Sequence, residues 1–184
     1  MSEELLDIVD ELGKSIGVAS RERVHRQGLL HCVTHVWLCT PQGELIFQRR
    51  ALEKKTWPGK LDATVAGHVN AHETFEAAAI RELQEETGLS AKPEDLIFIN
   101  RMRSAVFEPS SRTTHHALRQ VYALHYDKPL TNLKMDPRET LGFEAIPLQT
   151  MLYLNADQAS QYIPLLLEDT YLPVYSKIEK LVYE

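Results

Sequence analysis

Residues 67–89 constrain the fold of this chain more than any other stretch, and they read GHVNAHETFEAAAIRELQEETGL. Glu82, Glu85 and Glu86 fall within one turn of a predicted helix, and residues three and four apart on a helix share a face. Like charges at that spacing destabilise a helix by roughly 0.2–0.5 kcal/mol per pair, and exclusion of water raises the cost. A divalent cation such as Mg²⁺ removes this cost, because it prefers carboxylate oxygens as ligands. The stretch therefore predicts a helix with an acidic face that binds a metal.

The ends and the opposite side of this predicted helix carry their own signals. Thr74 is placed to accept a hydrogen bond from a free backbone N–H in the first turn. Gly88 follows the last turn, where a left-handed residue is commonly glycine. Ala77, Ile80 and Leu83 form an apolar stripe at helical spacing, which we expect to dock on a sheet. The pattern predicts a helix that is anchored on one side and acidic on another.

These positions resemble the signature of the Nudix hydrolase family. The matching residues are Gly67, Glu73, Arg81-Glu82-Leu83, Glu85-Glu86 and Gly88-Leu89, at the spacing of that signature. The resemblance implies an α/β fold, specifically an α/β/α sandwich with a mixed β-sheet. It also implies a pyrophosphohydrolase that cleaves a diphosphate linkage with Mg²⁺ as its cofactor, for which Mn²⁺ can substitute. The residues alone leave one alternative open, an ordinary amphipathic helix with a solvated acidic face.

The resemblance assigns the metal site and narrows the search for a general base. Glu82, Glu85 and Glu86 are the implied metal ligands and catalytic residues, with the carbonyl of Gly67 as a further metal contact. Clustered carboxylates that hold Mg²⁺ neutralise phosphate charge and activate a water, which are the two requirements of diphosphate hydrolysis. The base is left open among Glu85, Glu86 and Glu139, which precedes the last predicted strand; a surface glutamate is the alternative for Glu139.

Two other signature residues have implied structural roles. Arg81 and Glu73 are expected to pair and to hold the loop before the helix against it, while Gly88 ends the helix. Direct binding of phosphate by Arg81 is the alternative.

Four cations near this region are candidate ligands for the substrate's phosphates: Arg49, Arg50, Lys54 and Lys55. Arg49 and Arg50 end a predicted strand, and adjacent strand residues face opposite ways, so only one of them is expected to reach a phosphate. Lys54 and Lys55 lie in the following loop, for which a solvated basic segment is the alternative.

Residues 31–68 also resemble isopentenyl-diphosphate isomerase, an enzyme with the Nudix fold. Ala66 stands where that enzyme has a catalytic cysteine, and Ala117 is the nearest match to its second catalytic glutamate. Alanine has no proton to transfer, so isomerisation is disfavoured as the alternative function. A non-catalytic nucleotide-binding protein is a third interpretation, and the complete acidic signature argues against it.

Histidines provide a further metal-site hypothesis. His31 and His68 match two metal-binding histidines of the isomerase, whereas His25 is out of register by a residue. The pair predicts either a second metal site or two histidines near phosphate without a metal.

The remaining segments predict a chain rich in strands. We expect an N-terminal hairpin over 5–11 and 16–19, a short helix over 21–27 capped by Ser20, and two or three helices after residue 148. The other predicted strands are 29–39, 44–50, 61–66, 97–107, 115–126 and 141–146.

Length, charge and composition limit the domain number and the kinds of binding partner to expect. The 184 residues predict one domain, 1–184, with the hairpin and short helix in 1–28 and the C-terminal helices in 148–184. A net charge of −6 does not favour a nucleic acid polymer, and no apolar run is long enough for a membrane. Buried reduced cysteines and an acidic start without a secretory signal predict a cytoplasmic protein. We expect a small-molecule diphosphate substrate of open identity, and the strand-rich N-terminus leaves a homodimer open.

Overall fold

The computed structural model describes residues 4–109 and 111–183. Its strands, β1 to β9, are Leu5–Val9, Ser15–Ser20, His31–Cys39, Glu44–Arg50, Leu61–Asp62, Val65–His68, Ile97–Glu108, Thr113–His125 and Thr140–Pro147. The α-helices, α1 to α4, are Arg21–Gln27, Phe75–Thr87, Ala156–Ala159 and Leu172–Tyr183. Single turns of 3₁₀-helix are Pro93–Asp95, Leu130–Asn132, Leu148–Leu152, Pro164–Leu167 and Asp169–Tyr171.

The strands form one mixed sheet organised around β3. β8 runs parallel to β3 along its whole length, from His31 opposite Ala117 to Cys39 opposite His125. The other edge of β3 is shared, because β6 pairs with residues 33–36 and β4 pairs only with Leu38 and Cys39. β4 and β6 therefore diverge from one strand, and the sheet is split between them.

Helices cover both faces of this sheet. Successive side chains of a strand point to opposite faces, and in β3 Val36 packs in one core cluster with Leu83 of α2. Trp37 packs in the other large cluster with Tyr175 of α4. The α/β/α sandwich that the family resemblance implied is confirmed.

Helix α2 begins and ends as predicted. The Thr74 hydroxyl accepts from the Ala77 N–H at 3.1 Å, and Gly88 ends the helix at φ 74°. The predicted apolar stripe was partly wrong: Leu83 is buried, but Ala77 is exposed and Ile80 only half-buried. Ala78 and Ala79 are the buried alanines instead. Ala79 lies four residues before Leu83 and shares its face, whereas Ala77 lies six residues before it and does not.

The C-terminal region differs most from expectation. Two of its predicted helices are replaced by 3₁₀ turns and the single α-turn of α3, and only α4 is a longer helix. Pro147 and Pro164 lack an N–H and hold the preceding residue extended, which opposes a continuous helix. Residues 161–163 instead run beside Leu61, whose N–H donates to the Gln161 carbonyl at 2.7 Å.

Smaller predictions have mixed outcomes. The N-terminal hairpin and α1 are present, but the Ser20 side chain makes no capping bond. The strand predicted over 61–66 is two strands, β5 and β6. Cys32 and Cys39 are free and buried, as predicted. Within the described ranges, no helix combines the length and apolar character needed to cross a bilayer.

Residues 1–3, 110 and 184 of the predicted domain lie outside the described residues. The single-domain boundaries, the cytoplasmic location and the homodimer stay predictions.

Candidate active site

A cavity of about 910 Å³ lies where β4 and β6 separate. The acidic residues of α2 line it on one side, with the loop 51–60 beside them. Side chains of β3, β6 and β8 line it on the other, including His31, Ala66 and Arg119. Because the sheet is split at this point, the cavity reaches residues from both of its faces.

Glu86 is the most deeply buried acid of α2, with only 7% of its surface exposed. Gln48 on β4 donates from Nε2 to Glu86 Oε2 at 2.9 Å. Burial raises the pKa of the Glu86 carboxyl well above its usual value, and the nearby charges of Glu82 and Glu139 raise it further. A carboxylate that is buried among other acids in this way favours a bound cation.

Glu82 lies against the backbone of Gly67. A Cβ atom at residue 67 would stand 2.0 Å from Glu82 Cδ, so only glycine leaves room for this carboxylate. Burial raises the pKa of Glu82, although Arg81 Nη1 donates to its Oε1 at 2.7 Å and acts in the opposite direction. Gly67, whose carbonyl is the further metal contact that the resemblance implies, therefore lies directly against a signature carboxylate.

Glu85 is exposed and reaches the same Arg81 nitrogen at 3.4 Å. The three signature glutamates all line the cavity. Their oxygens do not converge on one point: among the described residues, only three histidines bring possible metal-binding atoms within 4.8 Å of one another. Like charges repel, and Glu82 and Glu85 turn to the nearest cation, Arg81.

Arg81 and Glu73 form the predicted pair. Arg81 donates from Nε and Nη2 to the two oxygens of Glu73, each at 2.9 Å, and from Nη2 to the His68 carbonyl at 2.9 Å. Burial alone would raise the pKa of Glu73, but its hydrogen bonds from Arg81 and the Asn70 N–H lower it. The pair ties the loop after β6 to α2.

The predicted phosphate ligands divide between two locations. Arg50 lines the cavity and bonds Asp62 Oδ2 at 2.8 Å, whereas Arg49 points away and bonds Glu144 at 2.6 Å. The expectation that only one of the two arginines faces the site is met by this alternation. Lys54 also lines the cavity, while Lys55 is exposed outside it.

Glu139 lies at the acidic side of the cavity. It forms an ion pair with Lys54, and its charge acts on Glu86. The loop before β9 thus brings a carboxylate to the signature helix from more than fifty positions further along the chain.

A histidine cluster is formed by His25, His31, His68 and His115. His31, His68 and His115 line the other side of the cavity, and the ring of His25 packs against all three. His25 Nε2 and His68 Nε2 are 2.9 Å apart, and the ring centres of His25 and His115 are 4.7 Å apart. His25 Nδ1 and His115 Nε2 are buried with no hydrogen-bond partner among the described residues.

Burial determines the charge of this cluster. Burial, with smaller contributions from neighbouring rings, lowers the pKa of His25 to about 2, of His31 to about 3 and of His115 to about 4. The rings are therefore neutral, which is the form in which imidazole binds metals. His25, expected to be out of register, is in fact a central member.

The sequence interpretation overlooked His115 and Arg119. Both lie on β8, at alternate positions on the face that carries Ala117. The alternation His115, Ala117, Arg119 could have indicated one face, but the register that sets β8 beside β3 was not readable.

With this geometry established, comparisons with known proteins identify the class. The model of the NUDIX domain family matches residues 29–166. The chain belongs to the NUDIX domain family.

Two bacterial relatives share about one half of the chain. An uncharacterized Nudix hydrolase of Clostridium acetobutylicum is 44% identical over 102 residues, or 54% of this chain and 49% of that protein. An isopentenyl-diphosphate Delta-isomerase of Serratia proteamaculans is 41% identical over 90 residues, or 49% of this chain and 50% of that protein. The chain spans about half the length of these curated relatives.

Solved structures share the fold over more of the chain. A Deinococcus radiodurans protein, DR0079, has a TM-score of 0.67 at 23% identity, covering 98% of this chain and 100% of its own. The MutT protein of Methanosarcina mazei has a TM-score of 0.61 at 16% identity, covering 84% of this chain and 96% of its own. These similarities support the fold alone.

Proposed function

We propose that this protein is a Mg²⁺-dependent hydrolase that cleaves a diphosphate linkage in a small molecule. The substrate class is a nucleoside diphosphate linked to another group, or a related organic diphosphate. The observation that carries the proposal is the wall of three signature glutamates lining one cavity, with Glu86 buried and its pKa raised. Membership of the NUDIX domain family supports it.

The residues fit a hard divalent cation. Glu82, Glu85 and Glu86 supply oxygen donors, and the Gly67 backbone lies directly against Glu82. When bound there, Mg²⁺ supplies charge neutralisation for the diphosphate and makes a water more acidic, and Mn²⁺ can do the same. Arg81 then retains Glu73 and the His68 carbonyl, so we assign it to holding the loop rather than to binding phosphate.

Other residues bind the substrate and move the proton. Arg50 and Lys54 face the cavity and are the proposed ligands of the diphosphate oxygens. Arg49 and Lys55 lie outside the cavity, so we do not propose them as phosphate ligands. Glu139 is the proposed general base, because it lies beside Glu86 without belonging to the signature helix. Its ion pair with Lys54 holds a proton acceptor next to a phosphate-binding cation.

The histidine cluster is a candidate second metal site, as the isomerase resemblance suggested. His25, His31 and His68 offer neutral nitrogens within 4.8 Å of one another, and His25 Nδ1 has no partner among described residues. Nitrogen ligands suit Zn²⁺ and similar transition metals better than Mg²⁺. Calorimetric titration with Zn²⁺ should show one site that His68→Asn removes and that the exposed control His72→Asn retains; an unchanged site in His68→Asn would contradict it.

The cavity lacks the side chains that an isomerase would need for proton transfer. Ala66 and Ala117 both line the cavity, so the positions that matched the isomerase's proton-transfer groups face the site but carry a methyl group. Incubation with isopentenyl diphosphate should yield no allylic isomer.

A screen of organic diphosphates tests the main proposal. Nucleotide sugars, dinucleotides, oxidised nucleotides and isoprenoid diphosphates would be incubated with Mg²⁺, and phosphate-containing products separated by chromatography. We expect turnover of at least one compound with Mg²⁺ or Mn²⁺ and none with a chelator. Tight binding of a nucleotide without turnover under either metal would instead indicate the non-catalytic alternative.

A further inference from the structure

Arg119 on β8 places a positive charge in the cavity wall without an acidic partner. The residue is 5% exposed, and the described part of the chain contains no ion pair to it. Moving a charge out of water is strongly unfavourable even after relaxation, so buried charges in proteins are paired as a rule. The exception needs an explanation.

The groups that hold Arg119 are neutral. It donates from Nε to His35 Nε2 at 3.0 Å and from Nη1 to Ser104 Oγ at 2.7 Å. Since a guanidinium can only donate, the neutral His35 ring carries its proton on Nδ1, which lies 3.0 Å from the Tyr171 oxygen. Trp37 Nε1 donates to that oxygen at 3.0 Å as well. This chain of bonds orients the guanidinium without neutralising it.

The two carboxylates that act electrostatically on Arg119 are Asp62 and Glu168, and neither forms an ion pair with it. Asp62 and Glu168 exert long-range attraction on Arg119, while burial lowers its pKa. Asp62 accepts from Arg50 Nη1 at 2.8 Å and from the Ala63 N–H at 2.7 Å. Neither acid therefore provides the missing partner.

The unused donors of Arg119 are suited to an anion. A guanidinium has five N–H groups in a planar fork, and the two bonds above use one on Nε and one on Nη1. Nη2 donates to no described residue. The fork matches the spacing of carboxylate or phosphate oxygens. Val106, Ile163 and Leu165 line the same cavity, and apolar walls strengthen such a bond.

Arg119 is separated from the signature glutamates by the sheet. α2 packs on one face with Val36 and Leu83, whereas Arg119 bonds to His35, which alternates with Val36 on β3 and faces the other way. A ligand whose diphosphate lies at α2 would reach Arg119 with a different part of its structure.

We propose that Arg119 binds a carboxylate or phosphate group on the part of the substrate remote from the diphosphate. The inference rests on the proposed function and narrows its substrate class to organic diphosphates with an additional acidic group. Sugar acids linked to a nucleoside diphosphate, and dinucleotides with an extra phosphate, have this chemistry.

Binding of matched compounds, measured by calorimetry with a chelator present so that turnover does not interfere, tests the proposal. One pair is uridine diphosphate glucuronate against uridine diphosphate glucose, which differ by a carboxylate; the other is NADPH against NADH, which differ by a phosphate. We expect the acidic member of at least one pair to bind about tenfold more tightly or better. Arg119→Gln should abolish the preference, and the exposed control Arg103→Gln should retain it.

Equal affinity within both pairs, no binding of either acidic compound, or a preference that survives Arg119→Gln would overturn the inference. If Arg119→Gln does not fold, Arg119→Lys and Ser104→Ala keep the charge but remove the fork or its anchor, and both should reduce the ratio of affinities. A purely structural role would weaken both members equally. A preserved preference without hydrolysis under Mg²⁺ would refute the proposed function alone, and hydrolysis without preference would refute the Arg119 site alone.

Discussion

The two walls of the cavity treat buried ionisable groups in opposite ways. On the α2 wall, burial raises the pKa of Glu82 and Glu86, and the carboxylates have Arg81 and Gln48 as partners. On the histidine wall, burial lowers the pKa of every ring in the cluster. The first wall offers oxygen ligands and the second neutral nitrogen ligands. One split sheet therefore presents two sets of donor atoms that suit different metals.

Removing the buried acid should give the largest effect and show that the α2 wall carries the chemistry. Glu86→Gln is expected to reduce kcat/KM on the order of 10²–10³-fold, the scale for losing one electrostatic group at a reacting centre. The control Glu76→Gln lies on the same helix outside the cavity and should keep its rate. Steady-state kinetics on the best substrate of the screen measures both, and full activity in Glu86→Gln would remove this residue from the mechanism.

A variant that displaces the Glu82 carboxylate without removing it tests whether its position on the α2 wall matters for activity. In Gly67→Ala the new Cβ collides with Glu82 Cδ at 2.0 Å, and the side chain can swing away because its end is flexible. We expect activity to fall on the order of 10–100-fold, as for other misplaced groups, with little change in thermal midpoint. Gly17→Ala is the control, since its Cβ would lie 3.9 Å from the nearest atom; a large drop in midpoint for Gly67→Ala would indicate a structural role instead.

The two cavity walls should contribute in opposite directions to the stability of the protein in acid. Below pH about 6.5 the unfolded chain binds protons that the buried histidines do not, so stability falls as pH drops, by about 1.4 kcal/mol per pH unit for each such proton. Glu86 acts in the opposite direction: its raised pKa lets the folded state bind a proton first, so its contribution rises as pH falls.

Urea unfolding between pH 4.5 and 7 with a chelator present measures this difference. His115→Gln should make the acid loss of stability shallower, and Glu86→Gln should make it steeper. Shifts in the same direction for both variants would contradict the opposite pKa shifts of His115 and Glu86.

The smallest effect should come from the helix cap. Thr74→Ala removes the bond to the Ala77 N–H and should cost about 1 kcal/mol of unfolding free energy. The rate per folded molecule should be unchanged, because Thr74 does not line the cavity. A matched loss of kcat/KM would mean that the acidic wall depends on the first turn of α2.

Short-range sequence patterns were enough to predict much of the fold and part of the candidate site. The bounds of α2, its two caps, the N-terminal hairpin and most strands follow from periodicity and turn residues, which act between near neighbours in sequence. The pairing of Arg81 with Glu73 and the exclusion of Arg49 by strand alternation are also short-range effects. The two C-terminal helices failed because a leucine pattern cannot show that residues 161–163 pair with Leu61.

Residues 67–89 alone were enough to predict one acidic, capped helix and the family of the chain, because the required spacing lies within this one segment. The residues that face this helix across the cavity depend on the packing of distant segments. The split between β4 and β6 and the parallel register of β8 on β3 set His115 and Arg119 in the same cavity as Glu86. Strand register depends on packing between segments far apart in the chain, and no local pattern encodes it.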